Sequence, residues 1–155
     1  LIRRQPQEAD SILRDASPPE AIEDPRMRQR ARLTRAAVRL ALAQPQAAWD
    51  GLPADDEPGM NDELRLRSLA TRLRAGLQLG RADAALVDRA AQALADPAAH
   101  AVALLHLHQA LAVVAPERGG ASARAFVAGL AASLCEHPAE QAHLLACQGE
   151  PLRAH

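Results

Sequence analysis

The chain has 155 residues and contains no lysine and no tyrosine, one phenylalanine (Phe126), one tryptophan (Trp49) and two cysteines (Cys135 and Cys147). Each scarcity excludes something. Strands favour β-branched and aromatic side chains, and these are too few here to build a sheet. Two cysteines do not make a disulfide framework, so the core must hold by packing alone. Missing aromatics remove the stacking platform that binds single-stranded nucleic acid, and a formal net charge of −1 removes the general attraction to phosphate or anionic lipid. Nucleic acid is therefore not an expected partner. No GxGxxG run, P-loop or HExxH is present, and periodicity brings no two carboxylates together as an acid–base pair. No catalytic residue, enzyme activity or cofactor is expected. All 18 basic side chains are Arg, which reads as GC-rich bacterial coding bias rather than as a function. The chain opens on Leu1 without a secretory apolar run, which reads as a piece of a longer, cytoplasmic protein.

What remains is rich in Ala, Leu, Arg, Glu and Gln, the strong helix formers. The expected fold class is all-α. Residues 1–24 read as a short helix near Gln7–Ala16 followed by a linker through SPPE, and residues 25–155 as a single helical-repeat domain. Pro25, Pro45, Pro97 and Pro138 each stand where a helix begins, because a first-turn N–H has no intrahelical partner to lose. Helices are expected over about 26–43, around Trp49, from an Asn61 cap to a Gly80 stop, over about 81–95, from Pro97 to Pro116, after Ser122, and from Pro138 to about Gln148. The Pro97–Pro116 run has no Asp, Glu, Lys or Arg and the length of a short membrane span. It also carries His100, His106, His108 and Gln109, and its apolar content is largely Ala. It reads as the central buried helix of a soluble domain, with no membrane partner.

Short connections force consecutive helices into antiparallel hairpins. The stretch AGLQLGRADAALVDRAAQALADP (Ala75 to Pro97) is similar to the second half of a tetratricopeptide repeat. Gly80, Ala85 and Pro97 stand where that family has its turn glycine, small packing residue and closing proline. Arg89 and Gln92 depart from the family's second helix, and Leu73 and Gly76 from its first. The resemblance covers about one repeat. It implies hairpins stacked as a TPR-like superhelix whose extended surface receives a protein or peptide partner. An irregular helical bundle is the alternative. The closing run CEHPAEQAHLLACQGEPLRAH resembles the last helices of helical arms in large bacterial regulatory ATPases, which implies a scaffold or sensing arm of a larger protein.

Three groups of residues are candidates for chemistry. Arg28, Arg32, Arg35 and Arg39 recur at i, i+4, i+7 and i+11, one stripe opposite the Leu33/Leu40 face. They read either as a solvated helix face or as a docking strip for an acidic partner, and the acidic loop Asp55-Asp56-Glu57 offers an intramolecular mate. As a docking strip, charge reversal at Arg32 and Arg35 weakens capture and leaves stability unchanged. His106 and His108 lie about 200° apart on a helix and cannot share one ligand. His108 falls on the side of Leu104 and Leu105 and reads as a core or groove residue with a role in partner contact. Cys135, His137, His143 and Cys147 are zinc-competent, and His143 and Cys147 share a helix face. Their spacing is not that of the usual structural zinc sites. The competing reading is a helical turn with a buried cysteine; the alternative function is a metal- or redox-responsive domain.

Overall fold

The computed structural model describes residues 6–94 and 101–118, and among them every regular element is helical. Six α-helices follow in order: α1 (Pro6–Asp15), α2 (Pro25–Ala41), α3 (Pro45–Asp50), α4 (Asp62–Leu79), α5 (Ala84–Leu94) and α6 (Ala101–Val114). A 3-10 turn, Pro19–Ala21, lies between the first two.

The helix ends follow local chemistry. Pro25 and Pro45 occupy the first turns of α2 and α3. The Asp24 carboxylate accepts from Arg26 N at 2.9 Å, and the Asn61 side chain accepts from Leu64 N at 2.9 Å. Gly80 ends α4 in the left-handed conformation at φ 66°. The expected start of the next helix near Arg81 moves to Ala84, because Asp83 is the cap and accepts from Leu86 N at 2.8 Å. Pro97 and Pro138, and the helices expected after Ser122 and Pro138, lie outside the described residues.

α4 is the hub. It packs against α2, α3, α5 and α6. Its residues join two cores: one of Leu66, Leu69, Ala70 and Leu73 with Leu86, Val87, Ala90 and Leu94 of α5 and Leu104, Leu107 and Leu111 of α6, the other of Leu64 with Leu33, Ala36, Ala48 and Leu52. The sequence points instead to the uncharged helix 97–116 as central. α6 does bury Ala103, Leu104, Leu107, Ala110 and Leu111, but among the described helices it packs against α4 and α5, whereas α4, with four arginines, packs against four. Arginine stems lie on apolar surface and carry their heads outward, so charge does not keep a helix from the centre. Arg72, for example, reaches Pro53 O at 2.8 Å. Among the described residues no helix is long and apolar enough to cross a membrane.

The segment between α3 and α4 is pinned on α2. Gly59 takes φ 89°, and a Cβ there would stand 2.4–2.6 Å from the Pro25 carbonyl group and Arg26 N. Only glycine fits both that conformation and that approach. Trp49 meanwhile lies against Gly76 of α4, with the Arg72 and Arg81 guanidiniums 5.8 and 6.0 Å from its ring centre.

Candidate docking groove

The arginine stripe of α2 is used inside the molecule. Arg28 donates to Ile22 O from Nε at 3.0 Å and from Nη2 at 2.8 Å. Arg35 donates to Ala16 O at 3.3 Å and Ser17 O at 3.2 Å, and Arg39 to Ala47 O at 3.1 Å. Arg32 pairs with Glu57 and also donates to Gln29 Oε1 at 3.3 Å and Leu52 O at 3.4 Å. Arg28, Arg32 and Arg35 thus strap connecting segments to the helix, and Arg39 reaches α3. The acidic loop does meet the stripe, but through Glu57 alone, since Asp55 pairs with Arg89. The stripe is thus half-buried at Arg28, Arg32 and Arg35 and exposed at Arg39, with its guanidiniums on carbonyls and a carboxylate of the same chain.

Glu57 is the centre of that clamp. Partial burial works to raise its pKa, but the Ala54 N–H, the Arg32 charge and the Gln29 amide outweigh burial and hold the carboxyl below its ordinary value. Gln29, itself buried, donates to Glu57 at 3.1 Å and to Pro58 O at 3.1 Å.

On the opposite side of α2, about 180° around its axis, α2, α4 and α6 enclose an open groove of about 620 Å³. Leu33, Leu64 and Ala70 form its buried floor, with Leu40 and Ala37 beside them. Leu77, 45% exposed, and Val113, 63% exposed, stand on its walls. Thr34 and Thr71 also line it, but each hydroxyl donates back to its own helix, to Arg30 O and Arg67 O at 2.9 Å. Those hydroxyls are spent on the backbone, which makes the lining more apolar than its composition suggests.

Among the described residues that line this groove, the charged side chains are arginines. Arg30, Arg67 and Arg74 border it. Arg30 and Arg67 share the single carboxylate of Glu63, at 3.5 and 3.0 Å, and Arg74 donates to Gln109 Oε1 at 3.5 Å. Among the described residues, three guanidiniums thus border an apolar slot, two of them held by one carboxylate.

The two histidines of α6 are separated as their spacing requires. His106 is exposed and borders the groove, whereas His108 is 3% exposed and its pKa is lowered to about 4 by burial. His108 is therefore placed in the interior and does not line the groove. Among the described residues no group of three His, Cys, Asp or Glu side chains gathers as a metal site. Cys135, His137, His143 and Cys147 lie outside the described residues.

Comparison with protein-family models, curated proteins and solved structures found no match.

Sequence reasoning missed Arg30, Arg67, Arg74 and Leu77 as groove residues. A signal was present: Arg30, Thr34, Ala37 and Ala41 fall at i, i+4, i+7 and i+11, and Arg67, Thr71 and Arg74 at i, i+4 and i+7, two parallel rows of small and basic residues. Nothing in either row alone indicates that the other helix faces it.

Proposed function

We propose that this chain is a protein-docking module, a helical repeat of TPR-like plan, that receives an acidic, aliphatic segment of a partner protein in the groove between α2, α4 and α6. One observation carries the reading: an open apolar slot lined, among the described residues, by the arginines Arg30, Arg67 and Arg74. The groove is built from alternate elements of the chain, α2, α4 and α6, with the intervening α3 and α5 packed behind. That alternation is what stacked hairpins produce, and it supports the TPR-like plan. Binding rather than catalysis is the job proposed, as a scaffold or as the sensing arm of a larger bacterial protein.

The test is a titration by fluorescence anisotropy with a labelled helical peptide that carries a Leu stripe flanked by Glu. The parent protein binds it, and Arg67→Glu combined with Arg74→Glu weakens binding at least about tenfold. A matching peptide with Lys in place of Glu binds the parent less tightly. Equal binding of both peptides, or by both proteins, sinks the proposal.

A further inference from the structure

Apart from the groove, a smaller cavity of about 280 Å³ is lined by Arg32, Arg35 and Arg39 of α2, by the linker at residues 18–20 and by Asp50-Gly51 at the end of α3. Arg32 is neutralised by Glu57. Arg35 and Arg39 differ: their partners among the described residues are carbonyl oxygens, which satisfy a donor without cancelling the charge. Each reaches those oxygens through a single terminal nitrogen, so two nitrogens of each guanidinium remain for a ligand. Gly51 keeps this space clear, since a Cβ there would stand 3.7 Å from Arg39 Nη1. The same cavity carries the carboxylates of Glu20 and Asp50. Asp50 accepts from Gln46 Nε2 at 2.8 Å on Oδ1, which leaves Oδ2, and neither carboxylate forms an ion pair among the described residues. Charges of both signs thus line one small space without meeting each other.

We propose that this cavity binds a small zwitterion with the chemistry of a free α-amino acid, its carboxylate on Arg35 and Arg39 and its ammonium group on the Glu20 and Asp50 carboxylates. Planar carboxylate recognition suits a pair of guanidiniums one helical turn apart. A plain anion such as phosphate gains the arginines but meets two like charges, and a plain amine has the reverse difficulty; only a ligand of both signs uses all four groups. Size selects in the same direction. Pockets for drug-sized ligands begin at roughly 300 Å³, so this one is too small for a nucleotide or a helical segment. Pro19 and Ala36, both buried, give it an apolar patch that fits a short aliphatic side chain. Such a ligand touches the linker, α2 and α3 at once, so its binding raises the unfolding midpoint. The site is independent of the α2/α4/α6 groove, whose arginines it does not share.

The experiment is isothermal titration calorimetry of the full chain with L-alanine, L-valine and L-leucine, beside the N-acetylated form of each, the matching amine without its carboxylate, and inorganic phosphate. The parent binds at least one amino acid with Kd below about 1 mM, and the N-acetylated form and the amine bind at least about tenfold less tightly. Glu20→Gln with Asp50→Asn, two isosteric changes at exposed positions, leaves the urea midpoint unchanged and narrows the gap between the amino acid and its N-acetylated form. Arg39→Gln weakens the amino acid at least about tenfold. A parent that binds none of the three overturns the proposal. So does equal binding of an amino acid and its N-acetylated form, or phosphate bound more tightly than every amino acid, which marks a plain anion site. Amino-acid binding that both variants leave at the parent level lies elsewhere on the chain and overturns it as well.

Discussion

Leu73 and Leu77 are identical residues one turn apart on the same apolar stripe of α4, yet the structure gives them different surroundings. Leu73 is fully buried in the core shared with α5 and α6, while Leu77 is 45% exposed on the groove wall. Truncating Leu73 to Ala removes buried carbon and leaves a cavity in a close-packed interior, a loss of about 2.7–5 kcal/mol. At Leu77 nearly half of the side chain already meets water and no closed cavity forms, so Leu77→Ala costs about 1 kcal/mol. With a urea slope of about 2 kcal/mol per molar, the midpoint falls by about 1.4–2.5 M for Leu73→Ala and by about 0.5 M for Leu77→Ala. The assay is equilibrium urea unfolding followed by helical circular dichroism on both variants and the parent. Leu77→Ala also weakens the Leu/Glu probe peptide while Leu73→Ala, where folded, does not. Similar midpoint shifts for the two would refute the division of α4 into a core side and a groove side.

Gly59→Ala forces a Cβ into the Pro25 backbone at positive φ and destabilises by at least about 2 kcal/mol; a parent-like melting temperature contradicts the pinned loop. Glu57→Ala strands one hydrogen of the buried Gln29 amide and frees Arg32, a loss of about 1–3 kcal/mol, measured by urea unfolding. Stability declines on acidification in two stages. His108 has a folded pKa of about 4 against an ordinary 6.5, so the unfolded chain binds more protons and stability falls as pH drops from about 6.5 towards 4; His108→Leu abolishes that dependence. Glu57, depressed below its ordinary value, adds a loss as pH falls through its folded pKa, and Glu57→Gln flattens that limb. Metal analysis of untagged protein is expected to find less than one zinc, nickel or copper per chain, and Cys135→Ser with Cys147→Ser leaves that content unchanged; a stoichiometric ion lost in the variant revives the metal reading.

The parts of the fold legible in sequence are those governed by neighbours along the chain. Pro25 and Pro45 at first turns, Asn61 as a cap and Gly80 as a stop are chosen by backbone groups within four residues, and each stands where expected. The His106/His108 separation is equally local, a matter of helical pitch. Choosing the central helix by counting charges failed because a guanidinium on a long stem reaches loop carbonyls or water from a buried backbone position, as Arg72 does.

Composition and short-range spacing by themselves determined that the described chain is helical, where several of its helices are capped or stopped, and which residues can share a face. Only tertiary packing decided that the arginine row of α2 holds loop carbonyls, that Leu77 borders a groove instead of joining Leu73 in the core, and that Arg30 and Arg67 converge on Glu63. The reason is physical: periodicity specifies directions around one helix axis, whereas these contacts join groups up to 33 residues apart and depend on which helix stands opposite.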